Sequence, residues 1–138
     1  MISKYSFEDI ELNKIYSFNH KFNKEDVLNF AELSGDDNPI HVDEKHGRDS
    51  IFGKNIVHGM LVASLFSKIV GVYCPGLNSL YLSQSVKFKK PLFFDEEIEV
   101  RAEVIKKISS IKVIEMKTEV FRKVEKLVEG IAKVKVLD

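Results

Sequence analysis

A single cysteine in 138 residues, Cys74, rules out an intrachain disulfide, and its apolar neighbours make it a small packing residue in place of a nucleophile. Stability has to come from burial, and a reducing cytoplasm is the expected compartment. Charge of one sign is missing too: Lys plus Arg and Asp plus Glu are 21 each, so the chain has no net field to hold a polyanion or an anionic bilayer. Neither nucleic acid nor membrane is an expected partner. The opening residues, Met1 to Asp9, lack the apolar centre of a signal peptide. The one long apolar stretch, residues 56–74, would be roughly 28 Å long as a helix, close to hydrocarbon thickness. His58, Ser64, Ser67, Lys68 and two glycines interrupt it, and no second such stretch follows, so it reads as the buried central helix of a globular fold. It holds no carboxylate at all, so acid–base groups must come from elsewhere.

What is present fits one domain spanning residues 1–138, since 44% hydrophobic content in a chain of this length can build one core and leaves no room for a second module. Tyr16, Phe18, His20 and Phe22 alternate along a short strand. Asn23 followed by Lys24-Glu25-Asp26 is a helix start with Asp26 at the capping-box position, and Val27, Phe30, Ala31 and Ser34 share one helical face up to Gly35. After the central helix, Cys74-Pro75-Gly76 is a stop, and the remainder alternates as strands. Leu80, Leu82, Gln84, Val86 and Phe88 form one face; Ile98, Val100, Ala102 and Val104 the next. Ile114, Met116, Thr118 and Val120 follow, then a turn at Glu125-Lys126, then Val128, Gly130, Ala132, Val134 and Val136. Short turns between neighbours predict an antiparallel sheet, and the whole is an α+β domain with the sheet wrapped around a long central helix.

Two stretches can carry chemistry. Ser34-Gly35-Asp36-Asp37-Asn38-Pro39-Ile40-His41 places a carboxylate and an imidazole a few residues apart on a loop shaped by Gly, Asn and Pro. Ile56-Val57-His58-Gly59-Met60-Leu61 opens a helix whose first N–H groups can face a ligand oxygen. Read alone, Asp36 is an Asx-turn residue, His41 a packing histidine and Gly59 a close helix–sheet contact. Together they offer a base, an acid and an anion hole. His41, Asp43, His46, Asp49 and His58 are close in sequence, but His41 and His46 miss the spacing of a helical metal pair, so no metal is expected.

These motifs, with Phe52-Gly53 and Tyr81-Leu82-Ser83-Gln84-Ser85-Val86-Lys87-Phe88-Lys89-Lys90-Pro91, resemble the MaoC-like family of hotdog-fold proteins, and within it the (R)-specific enoyl-CoA hydratases. The resemblance runs from about Phe30 to about Glu97. It implies a hotdog fold, a homodimer or higher homo-oligomer, and reversible hydration of trans-2-enoyl-CoA to (R)-3-hydroxyacyl-CoA. No cofactor is implied, coenzyme A being part of the substrate. It makes Asp36 and His41 the catalytic pair and Gly59 the oxyanion donor; Asp37 falls on a variable position. Ser67, two turns beyond Gly59, Val70 and His58 are the candidate substrate-binding residues, with a structural hydrogen bond as an equal reading for His58 and a core position for Val70. Hotdog thioesterases and dehydratases that use an Asp or Glu from the central helix are disfavoured here by the missing carboxylate. Two alternatives remain: a (3R)-hydroxyacyl-ACP dehydratase, with Lys87, Lys89 and Lys90 docking an acidic carrier, and a silent acyl-thioester-binding protein.

Overall fold

The computed structural model describes all 138 residues. In chain order it contains β1 (Ile15–Lys21), α1 (Lys24–Ser34), α2 (Pro39–Val42), α3 (Glu44–Asp49), α4 (Gly59–Ala63), α5 (Leu65–Lys68), a π-helical turn (Ile69–Tyr73), β2 (Ser79–Gln84), β3 (Lys87–Phe88), β4 (Glu97–Ile108), β5 (Val113–Arg122) and β6 (Glu125–Val136). All strand pairings are antiparallel, in the order β1-β4-β5-β6-β2, with β3 also on β6. The alternation read from the sequence of β4 to β6 sets which face is buried. Ile98, Val100, Ala102, Val104, Ile114, Met116, Val120, Ala132 and Val134 are sealed from solvent, and Val62, Phe66, Ile69 and Val70 of the helical segment fill the same core. The Val, Ile, Met and Phe side chains among them each contribute about 1.5–3 kcal/mol by leaving water, and the two alanines less. Thr118, the polar member of the buried face, donates to the Gly130 carbonyl at 3.0 Å and accepts from Gln84 Nε2 at 2.9 Å, so it costs little. No helix is long and apolar enough to cross a membrane.

Three details differ from the sequence reading. The central helix is not one uniform rod: its bonding is irregular at Ser64, which keeps right-handed helical dihedrals and whose hydroxyl donates to the Leu61 carbonyl at 2.6 Å, and it widens to π geometry at Ile69–Tyr73, where Cys74 N–H donates to Ile69 O. The β5–β6 turn lies at Lys123-Val124, two residues earlier than expected. Arg122 and Glu125 face each other across it as an ion pair, and Lys123 takes the left-handed conformation a tight hairpin needs.

The third difference reverses a face. β2 carries an irregularity between Tyr81 and Ser83, and Tyr81 turns onto the core while Leu80 and Leu82 stay 47% and 51% exposed. The strand then leaves its register at Ser85, whose Oγ accepts from Ile131 N–H at 2.8 Å and whose carbonyl crosses over Gly130. A Cβ on Gly130 would lie 1.7 Å from that carbonyl oxygen, so only glycine permits the crossing. Gly130→Ala is therefore expected to destabilise the fold by about 3 kcal/mol, read as a lowered urea midpoint with an unchanged slope.

Candidate active site

α1 delivers the first half of the site. Asn23 Oδ1 accepts from Asp26 N–H at 2.8 Å and Asp26 Oδ2 accepts from Asn23 N–H at 3.0 Å, the reciprocal cap read from the sequence. Val27 and Ala31 anchor the helix, and Gly35, left-handed with φ 81°, ends it with its N–H on the Ala31 carbonyl. The chain enters the loop at Asp36, whose carboxylate accepts from Asn38 N–H at 3.3 Å. Asn38 Oδ1 in turn accepts from Ile40 N–H at 3.1 Å and starts α2, with Pro39 preset in its first turn. His41 is thereby fixed on a single helical turn.

The second half comes from the segment leading into α4. Asn55 Nδ2 donates to the carbonyls of Ile40 at 2.8 Å and Asp43 at 2.9 Å, which straps that segment to α2. His41 Nδ1–H donates to the Ile56 carbonyl at 2.8 Å; since a carbonyl can only accept, this leaves the Nε2 lone pair free. His58 lies against it, ring centroids 3.8 Å apart and planes 22° from parallel, and its Nε2–H donates to the Asp36 carbonyl at 2.9 Å. Burial is the main reason the His41 pKa lies below its ordinary value. The nearby His58 lowers it further, while the bond to Ile56 and the charge of Asp36 oppose the shift.

Asp36, His41 and His58 bring one potential ligand atom each within 4.8 Å of one another, a grouping the sequence reading did not assemble. The stacked rings argue against a bound cation. Imidazole lone pairs lie in the ring plane, and two nearly parallel planes 3.8 Å apart send theirs side by side instead of to one point.

These residues open onto a cleft of about 420 Å³, which Gly59, Phe88, Leu127 and Val128 also line. Gly59 begins α4, and the N–H groups of Gly59, Met60 and Leu61 bond to no acceptor of the chain. The Phe88 ring lies so close that a Cβ on Gly59 would meet it at 2.9 Å. Lys89 and Lys90 also border the cleft, each held by a carboxylate, Glu129 at 3.3 Å and Glu125 at 2.8 Å. Of the residues proposed from sequence, Asp36, His41, His58 and Gly59 meet here. Ser67 is exposed and Val70 is buried in the core, and neither lines the cleft. Phe88 and Leu127 were missed as wall residues. Only the position of Phe88 beside Lys89-Lys90-Pro91 within a recognised motif pointed to it.

An antiparallel sheet packed on a helical segment, with a loop carboxylate and imidazole sharing a cleft with the start of that segment, is a hotdog fold. The family model described as MaoC like domain matches residues 8–126, and the chain belongs to that family. Over 99 residues it is 40% identical to the (R)-specific enoyl-CoA hydratase of Aeromonas caviae, covering 72% of this chain and 74% of the relative. The solved structure of an (R)-hydratase from A. caviae superposes with a TM-score of 0.91 at 35% identity, covering 94% of this chain and 98% of that one. A mitochondrial 3-hydroxyacyl-[acyl-carrier-protein] dehydratase of Arabidopsis thaliana is 35% identical over 109 residues, covering 78% of this chain and 64% of the relative.

Proposed function

We propose that the protein is an (R)-specific enoyl-CoA hydratase, interconverting trans-2-enoyl-CoA and (R)-3-hydroxyacyl-CoA. The observation that carries this reading is that the free His41 Nε2, the Asp36 carboxylate and the unbonded amides at the start of α4 share one cleft. A water held between Asp36 and His41 loses a proton to Nε2 as its oxygen bonds to Cβ of the enoyl group. The C=C electrons move into the carbonyl, and the enolate oxygen is met by Gly59 N–H. The imidazolium, balanced by the Asp36 carboxylate, then returns the proton to Cα. One water has been added, hydroxyl to Cβ and hydrogen to Cα, with no step that calls for a metal or redox cofactor. The likeness to A. caviae hydratase supports the same reading.

The working unit in this reading is a homodimer in a reducing cytoplasm. β2 is one of the two edges of the sheet, and its exposed Leu80 and Leu82 supply apolar area for a second copy. Lys89 and Lys90 at the cleft, with Lys87 two residues earlier in the chain, would meet either the phosphates of coenzyme A or an acidic carrier protein, so the carrier-linked dehydratase is the second reading, supported by the Arabidopsis relative.

Loss of enoyl-thioester ultraviolet absorbance tests both, using crotonyl-CoA and crotonyl carrier protein at equal concentrations. The product is trapped by a stereospecific 3-hydroxyacyl-CoA dehydrogenase. Turnover of crotonyl-CoA to the (R) product is the expected result. A folded protein that turns over the carrier thioester alone replaces the first reading with the second, and one inert on both is a binding protein.

A further inference from the structure

His58 borders the cleft, yet it is not built to touch a substrate. It is only 2% exposed, its Nε2–H is committed to the Asp36 carbonyl at 2.9 Å, and Nδ1 is sealed from solvent with no partner. One neighbour of its ring is His41, stacked at 3.8 Å; another is Phe30 of α1, edge to face at 4.9 Å. Three pieces of chain that hold the site therefore converge on this side chain: the end of α1 through Phe30, the loop through the Asp36 backbone, and α2 through the ring of His41.

Resting on the hydratase reading above, we propose that His58 is a positioning residue that locks the Asp36 backbone and the His41 ring to one another and makes no contact with substrate. The hydrogen bond fixes the tautomer, since a carbonyl accepts and cannot donate, so the proton is on Nε2 and the sealed Nδ1 carries a lone pair. Neither catalytic side chain is bonded directly to the other, and each is tied to the segment leading into α4: His41 through the Ile56 carbonyl, Asp36 through His58. Remove His58 and only one of those ties remains. The separation between carboxylate and imidazole, which sets where a shared water sits, is then no longer determined.

Steady-state hydration of crotonyl-CoA by wild type, His58→Ala, His58→Gln and His58→Phe separates positioning from contact. Loss of registration predicts a fall in kcat of about 10²-fold in His58→Ala, the cost of misplacing reacting groups by about 1 Å, with KM within about threefold. His58→Gln, whose side-chain amide can donate to the Asp36 carbonyl from nearly the same place, should recover about tenfold of that loss, and His58→Phe, which keeps the stack and loses the bond, should not. A raised KM at unchanged kcat would mean that His58 binds substrate, and equal activity of the Gln and Ala variants would remove the hydrogen bond from the argument. A second readout needs neither variant nor turnover: ¹⁵N–¹H spectra of histidine-labelled wild type should show His58 as the Nε2–H tautomer and His41 as the Nδ1–H tautomer. An Nδ1–H tautomer at His58 overturns the proposal. The expected tautomers in a protein inert on crotonyl-CoA would sink the hydratase reading while leaving the tie between His58 and Asp36 standing.

Discussion

His41→Ala and Asp36→Asn are each expected to lower kcat for crotonyl-CoA hydration by about 10²- to 10⁴-fold, with Asp37→Asn within about threefold of wild type. His41 supplies the free basic nitrogen, because its other nitrogen is bonded to the Ile56 carbonyl. Asparagine at position 36 keeps the turn, since its side-chain oxygen still accepts from Asn38 N–H, but it removes the charge that balances an imidazolium. Asp37 does not line the cleft, so it reports the effect of a neighbouring loop charge alone. Acting on one water, the two residues form a unit, and the double variant should be little worse than either single one. A pH dependence follows with its sign fixed. The unprotonated form of His41 is the active base, and burial holds its pKa below 6.5, so kcat/KM should stay level through neutrality and fall only as the pH drops below that value. Equal loss in all three single variants would point to a collapsed loop, and an acid limb above 6.5 would assign the titration to another group.

Local signals were legible where one residue decides the geometry. Asn23 and Asp26 cap α1 reciprocally and Gly35 ends it left-handed, each through a bond to a residue three or four positions away, whereas the single helical turn Pro39–Val42 that carries His41 was legible only as a loop. Alternation marked the buried faces of β4, β5 and β6 because each is a full-length strand against a core. The same rule failed on β2. That strand lies at the sheet edge, where an irregular residue can reverse the faces without breaking an inner pairing, and just beyond it the Ser85 carbonyl crosses over Gly130, 45 positions later in the chain. The site divides the same way. Asp36, His41 and Gly59 sit on motifs whose chemistry is local. The Phe88 wall, the His41–His58 stack and the bond from His58 to the Asp36 carbonyl join residues from 17 to 29 positions apart, beyond what any spacing rule reads.

Gly59→Ala should then separate the two jobs that a residue without a side chain does at this point. The added methyl would lie 2.9 Å from Cε1 and 3.0 Å from Cδ1 of Phe88, closer than such atoms tolerate. Phe88 is 49% exposed and ends a two-residue strand, so its ring can swing outward and the cost to folding should be only about 1 kcal/mol. Catalysis is expected to fare worse. A Cβ is fixed to the same residue as the amide that meets the enolate oxygen, so wherever the ring goes the methyl stays beside that oxygen. Loss of one such donor costs about 10²- to 10³-fold in kcat. Gly59→Ala combined with Phe88→Ala removes the collision, and stability should return in thermal unfolding while kcat stays low. Recovery of rate together with stability would place the need for glycine in the packing of α4 against β3, and Gly59 would lose its role as the oxyanion donor.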